Sequence, residues 1–198
     1  AGRDASNISF PLRKGFQHSK NVRIRLAELK QVLPVANKVV TDAEEIVYDV
    51  LVLATGADTN FFGNAQLAGH AFPMKSTVEA LQLRYRLLQN LENALTIKDE
   101  TELQRLMNIV VAGGGPTGVE VSGALAEMKK YILPKEYPEL DFSKMNIYLL
   151  EGSPKTLGAM SEKSSDDSCK YLKKLGVTVM TNTLVKDYDG RDVLLNNG

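Results

Sequence analysis

The stretch that decides the fold reads Asn108-Ile-Val-Val-Ala-Gly-Gly-Gly-Pro-Thr-Gly118. Its first five residues form a β-branched run of the kind found in buried strands, and the residues from Val119 to Lys130 favour a helix. A glycine-rich bend therefore joins a predicted strand to a predicted helix. The glycines in G-x-G-x-x-G spacing are Gly113, Gly115 and Gly118.

Each of these glycines has a physical reason to stand where it does. Gly113 permits a tight turn, Gly115 lets the backbone approach a pyrophosphate, and Gly118 lets the helix pack closely on the strand. The helix N-terminus adds unpaired N–H groups and the positive end of a dipole, which together attract an anion. The pattern predicts a dinucleotide-binding loop that comprises Gly113, Gly114, Gly115, Pro116, Thr117 and Gly118.

Glu151 follows the next predicted strand, Asn146 to Leu150. A carboxylate there accepts hydrogen bonds from the hydroxyls of the adenine-side ribose and repels a 2′-phosphate, which favours NAD over NADP. The spacing departs from the usual value of about 20 residues after the glycines, because residues 133–141 intervene. The nearby Lys155 could pair with a 2′-phosphate, so NADP stays an alternative. Glu151 could also be an ordinary exposed glutamate at the end of a strand, with no role in binding.

Glu120 stands two residues after the last glycine and is expected in the first turn of the same helix. The helix dipole alone favours an acid there, which is the structural explanation. The functional explanation is that its carboxylate points into the cleft where a nicotinamide would lie.

The elements around the glycine loop alternate between strands and helices. After the strand Asn146 to Leu150, a helix is predicted over residues 162–175 and a strand over 177–180, followed by a hairpin from 184–188 and 193–195. This order predicts an α/β fold with a parallel sheet, a Rossmann-like dinucleotide-binding domain. Before it, the pattern predicts helices over 77–95, with a capping box at Ser76, and over 100–106.

The N-terminal part is predicted to be rich in strands. Val22 to Leu29 alternates like a half-buried strand, and residues 38–41 and 45–48 flank a turn in a β-meander. Val50 to Ala54 is apolar throughout, as in a strand covered on both faces. Phe61 and Phe62 are expected to anchor the connection that follows.

Composition excludes several classes of function. The chain has 198 residues, with 24 basic and 24 acidic side chains and a net charge of +0, which argues against a nucleic-acid-binding protein. Its one cysteine, Cys169, allows no internal disulfide, and the isolated His18 and His70 predict no metal site. No apolar run is long enough to span a membrane. Because the chain begins at Ala1 and stops after a strand-like run, we expect a piece of a longer protein.

Two blocks together carry a family resemblance. Tyr48-Asp-Val-Leu-Val-Leu-Ala-Thr-Gly-Ala57 and Val111-Ala-Gly-Gly-Gly-Pro-Thr-Gly-Val-Glu120 resemble the FAD-dependent pyridine nucleotide-disulfide oxidoreductase superfamily. Within it, Thr59 to Asn64 and Ala126 to Lys135 look like a type II NADH:quinone oxidoreductase. The similarity spans essentially the whole chain.

The resemblance implies a flavoenzyme in which NADH passes hydride to FAD and the reduced flavin passes electrons to a quinone. It places the glycine loop and Glu151 in the NADH site, Glu120 near the nicotinamide and flavin as the catalytic residue, and Val185 near the adenine. The residues that it places beside the FAD are Ala54, Thr55 and Gly56.

The resemblance also implies a domain division. Residues 1–72 would be a partial FAD-domain segment with the β-meander and the strand before Thr55, and residues 73–198 the NAD(H)-binding domain, truncated at its C-terminus. Two parts of the family's pattern are not found in this sequence. One is the N-terminal FAD fingerprint, a strand-glycine-helix unit expected before residue 22, and the other is the C-terminal Gly-Asp block with the membrane-docking tail. The chain by itself is therefore expected to bind NADH better than FAD and to be catalytically silent.

For the full-length protein, the resemblance implies peripheral association with the cytoplasmic face of the inner membrane through the missing C-terminal region. A homodimer is left open. The alternatives are the NAD domain of a disulfide, ferredoxin or sulfide oxidoreductase, and a non-catalytic NADH-sensing module. A third alternative is a protein-interaction domain in which the glycine loop is purely structural.

Overall fold

The structure is a computed structural model that describes residues 10–197, in two compact units divided between Ala57 and Asp58. Residues 58–72 group with the second unit. The assignment of residues 1–72 to a flavin-binding part stays a prediction, and its first nine residues lie outside the described range.

The first unit is built on an antiparallel meander in the order β1-β2-β3. Thr41 ends β2 and stabilises the turn to β3, because its hydroxyl accepts the Glu44 N–H at 2.9 Å. The predicted meander is therefore confirmed. Its elements are α1 (Leu12–Gly15), β1 (Leu29–Leu33), a 3-10 turn (Pro34–Ala36), β2 (Lys38–Thr41) and β3 (Glu45–Val47).

Two predicted strands of this unit are wrong. The strand expected from Val22 begins only at Leu29, where pairing with β2 starts, and Leu26 is 98% exposed. The run 50–54 forms no strand, and Val52 is 80% exposed. Its apolar sequence fits a strand, but a strand also needs a hydrogen-bonded neighbour, and none pairs with it within the described residues.

The second unit contains the predicted parallel sheet, β4-β5-β6, and the predicted hairpin, β7-β8. The crossovers between the parallel strands are helical, as a βαβ arrangement requires. The bounds are α2 (Ala65–His70), α3 (Thr77–Ala94), α4 (Glu100–Met107), β4 (Asn108–Ala112), α5 (Pro116–Tyr131), α6 (Leu133–Glu136), a 3-10 turn (Phe142–Lys144), β5 (Asn146–Leu150), α7 (Glu162–Lys174), β6 (Thr178–Met180), β7 (Val185–Tyr188) and β8 (Val193–Leu195).

The central strand β5 carries the core. Ile147 and Leu149 are at most 2% exposed and lie under α5 and α7, from which Leu125 and Leu172 point inward. Helix α3 begins at the predicted capping box, where the Ser76 hydroxyl accepts the Glu79 N–H. None of the described helices is both long and apolar enough to cross a membrane.

The insertion between α5 and β5 is packed rather than loose. Leu133, Phe142 and Met145 are buried and belong to the same core. The residues that lengthen the spacing from the glycines to Glu151 therefore help to hold β5 in place.

Of the two phenylalanines expected to anchor the connection before α2, Phe61 is half-buried and Phe62 is not buried. Phe62 is 90% exposed, because the chain turns at Phe62 and Gly63, both with positive φ. Asn64 ties the segment down instead: its Nδ2 donates to the Lys186 carbonyl at 2.9 Å and to Asp187 Oδ1 at 3.1 Å.

Candidate functional site

The glycine loop starts at the carboxyl edge of the parallel sheet. Gly113 extends the ladder by one bond, since its N–H donates to the Leu150 carbonyl at 2.8 Å. It then turns the chain with φ +105°, a conformation that side-chain-bearing residues rarely adopt. The loop therefore leaves β4 directly beside the end of β5.

Gly118 allows the helix to approach the strand. A Cβ on this third residue of α5 would overlap the Gly113 carbonyl oxygen and stand 3.4 Å from Leu149 Cδ1. The close helix-strand contact predicted for this glycine is therefore present.

Gly115 is different, because nothing in the chain requires a glycine there. It caps α5 in extended backbone, with φ −73° and ψ −179°, and a Cβ on it would meet no atom within 4 Å. Pro116 occupies the first helical position, where no N–H is needed, and no side chain caps the helix. The first turn thus presents backbone donors to an open space, which suits an anion.

Glu151, directly after β5, is hydrogen-bonded to the glycine loop. Its Oε2 accepts the Gly114 N–H at 2.6 Å, and its Oε1 accepts the Ser153 N–H at 2.7 Å. Partial burial has the largest single effect on the pKa of Glu151 and raises it, because burial opposes ionisation. The hydrogen bonds from Ser153 and Gly114 outweigh it and lower the pKa of Glu151 below its ordinary 4.5.

The carboxylate is therefore ionised at neutral pH and held toward the loop. An ionised carboxylate offers about four acceptor positions, of which the two N–H groups use two. The remaining positions can accept ribose hydroxyls. The structure thus brings together the glycine loop and Glu151, which are more than thirty residues apart in the chain.

The other predicted site residues lie in different places. Glu120 is the fifth residue of α5, so it stands in the second turn and not in the first as expected; its side chain is exposed. The first turn ends earlier in the sequence because the helix begins at Pro116, three residues before the predicted start. Val185 is half-buried at the start of β7.

Ala54, Thr55 and Gly56 belong to the first unit, and all three are exposed. Gly56 has φ +79°, and a Cβ on it would meet no atom within 4 Å. This bend therefore leaves its backbone accessible to a ligand.

Two residues of the site have no motif that could have identified them. The Leu157 N–H donates to the Gly114 carbonyl at 2.7 Å, and Leu157 itself has φ +51°. Thr156, beside it, is 1% exposed. A buried threonine in a loop looks the same in sequence as an exposed one, so only the structure reveals this contact.

A cavity of about 210 Å³ lies at the opposite, amino-terminal edge of the sheet. Its lining includes Leu103, Met107, Leu140 and Lys144, and it is separate from the glycine loop. Across residues 10–197, no group of three or more histidine, cysteine or acidic side chains is placed to hold a metal ion.

The α/β fold and the glycine loop with its acidic partner have the arrangement typical of dinucleotide-binding domains, and a family comparison agrees. The model of the pyridine nucleotide-disulphide oxidoreductase family matches residues 3–198, and the chain belongs to that family. The chain is 31% identical over 194 residues to the type II NADH:quinone oxidoreductase Ndh of Mycobacterium tuberculosis. The aligned region covers 96% of this chain and 42% of that relative.

Solved structures also resemble the chain, among them the two that follow. One is NDH2 from Plasmodium falciparum in complex with NADH, with a TM-score of 0.73, 26% identity and coverage of 85% of this chain and 35% of that one. The other is the sulfide:quinone oxidoreductase of Aquifex aeolicus, with a TM-score of 0.75, 20% identity and coverage of 99% of this chain and 43% of that one. At this identity, the similarity concerns the fold alone. The chain thus spans about two fifths of the length of two curated relatives from Mycobacterium tuberculosis, 42% of one and 40% of the other.

Proposed function

We propose that this chain is the NADH-binding part of a flavoprotein that transfers hydride from NADH to FAD and electrons onward to a quinone. The observation that carries the proposal is the Glu151 carboxylate bonded to the glycine loop at the carboxyl edge of the sheet. Parallel sheets bind dinucleotides at this edge. The similarity to type II NADH:quinone oxidoreductases supports the choice of acceptor.

The loop holds the diphosphate of NADH. Backbone N–H groups at the start of α5 donate to the phosphate oxygens, and the helix dipole adds a favourable field. The open space at Gly115 admits the phosphate to the backbone. Because these donors are fixed before the ligand arrives, binding does not have to order them.

Glu151 selects NADH over NADPH. Its free acceptor positions bind the ribose hydroxyls, whereas a 2′-phosphate would meet an ionised and partly buried carboxylate. Lys155, four residues on, is exposed and offsets this repulsion only weakly, since charges in open solvent are strongly screened. We place Val185 near the adenine.

The exposed bend of Ala54, Thr55 and Gly56 would hold the flavin, since Gly56 carries no side chain that would keep a ligand from the backbone. When bound, FAD accepts the hydride from NADH and passes the electrons to the quinone. Glu120 orients the nicotinamide carboxamide or holds a proton near it. As the resemblance implies, we place the full-length protein on the cytoplasmic face of the inner membrane, with which it associates peripherally.

The test uses the full-length gene product. NAD⁺ and NADP⁺ are titrated by calorimetry into the wild type and Glu151→Ala, and flavin absorbance and NADH oxidation with a soluble quinone are measured on the same samples. We expect a flavin spectrum, quinone-dependent turnover and NAD⁺ binding that weakens in the variant. A protein without flavin that still binds NAD⁺ would instead be a sensing module, and one without NAD⁺ binding would contradict the proposal altogether.

A further inference from the structure

The segment that follows Glu151 touches the glycine loop at a second point. Residues 151–157, which we name the clamp segment, contact both polar atoms of Gly114: Glu151 accepts its N–H at 2.6 Å, and the Leu157 N–H donates to its carbonyl at 2.7 Å. Gly114 is itself buried. The peptide groups on either side of Gly114 are therefore oriented by the clamp segment and not by the loop alone.

Leu157 is held in an unfavourable backbone conformation. Its φ of +51° lies in the left-handed region, which a leucine rarely adopts and which persists only where the surroundings impose it. Strain of this kind concentrates at ligand sites, where it keeps a group in a required orientation. Here the group is the N–H that binds Gly114.

Thr156 supplies the restraint. Thr156 is 1% exposed, and its Oγ1 lies 3.0 Å from Ser168 Oγ, within hydrogen-bonding distance, and 3.4 Å from the Ser165 carbonyl oxygen. Both partners belong to α7, and the Ser168 hydroxyl also donates to the Ser165 carbonyl at 2.8 Å. The hydroxyl network therefore ties the clamp segment to the helix beneath it.

We infer that Thr156 is a positioning residue for the dinucleotide site, whose buried hydroxyl fixes the Leu157 N–H on Gly114 and thereby the orientation of the glycine loop. The inference rests on the proposed NADH-binding function. It assigns to α7 a part in ligand affinity, although α7 is not expected to touch the ligand.

The test measures NAD⁺ affinity by calorimetry in the full-length protein, well below the lowest unfolding temperature. Thr156→Val keeps the shape and removes the hydroxyl, whereas Thr156→Ser keeps the hydroxyl. Since one net hydrogen bond corresponds to about a fivefold change in an equilibrium, we expect Thr156→Val to bind about fivefold more weakly and Thr156→Ser within about twofold of the wild type. Ser168→Ala removes the partner hydroxyl and carries the test if Thr156→Val does not fold.

Ala94→Gly is the control, because it lowers stability at the buried end of α3 without contact to the loop. It is expected to bind NAD⁺ like the wild type. If Thr156→Val and Ser168→Ala also bind like the wild type, Thr156 serves stability alone and the inference is overturned, while the proposed function stands. If the wild type itself does not bind NAD⁺, both fall together.

Discussion

Gly118 and Gly115 are glycines for different reasons, and substitutions at the two positions should have different effects. Packing within the chain requires Gly118, whereas Gly115 leaves room for the ligand. In Gly118→Ala, the new Cβ overlaps the Gly113 carbonyl oxygen, a backbone atom of the turn that cannot rotate away. Overpacking of this kind costs up to about 3 kcal/mol, and the better helix propensity of alanine returns about 1 kcal/mol. The expected net loss is about 2 kcal/mol, or a melting temperature lower by about 4–8 °C.

Gly115→Val places its side chain in open space and in backbone that a β-branched residue accepts readily. Its stability is expected to change by less than about 1 kcal/mol. Its NAD⁺ affinity is expected to fall about 10- to 100-fold, because the side chain occupies the phosphate position. Thermal unfolding and calorimetry on both variants check these values. Unchanged stability in Gly118→Ala, or unchanged NAD⁺ binding in Gly115→Val, would refute the reasoning.

Three further predictions concern Glu151, Glu120 and Leu172. Because hydrogen bonds lower the pKa of Glu151, its contribution to stability is complete above its ordinary pKa of 4.5 and is lost as the pH falls through the lower, folded value. Glu151→Gln should therefore flatten the acid limb of urea unfolding midpoints against pH; an unchanged limb would speak against the two bonds. Glu120→Gln should slow flavin reduction by NADH at least about tenfold while calorimetry shows unchanged NAD⁺ affinity, since it alters orientation and not binding. A normal reduction rate would exclude it from the site. Leu172→Ala, at a position 1% exposed in the core, should lower the free energy of unfolding by about 3 kcal/mol in denaturant titrations. A loss below about 1 kcal/mol would show that the helix is loosely packed there.

The sequence predicts the parallel sheet well because its signals are local. The strands β4 and β5 have the predicted bounds, and α3 begins where the capping box of Ser76 and Glu79 places it. Such features depend on residues a few positions apart, whose preferences are strong enough to decide the conformation.

The failures have two physical causes. A strand at 22–29 or at 50–54 requires a partner whose position no local pattern reveals, and Phe62 is exposed because of a turn with positive φ. At the site, the pairing of Glu151 with the loop follows from topology, since strands that lie side by side end at the same edge. The contact of Leu157 with Gly114 depends on a loop conformation that nothing in the sequence specifies.

The central claim is that the first turn of α5 binds a diphosphate while Glu151 binds the adjoining ribose. A crystal structure of the full-length protein with NAD⁺ tests it most directly. We predict phosphate oxygens within hydrogen-bonding distance of the backbone N–H groups of Thr117 and Gly118, and a ribose hydroxyl on the Glu151 carboxylate. NAD⁺ bound with its diphosphate away from this loop, or with Glu151 bonded only to Gly114 and Ser153, would contradict the account.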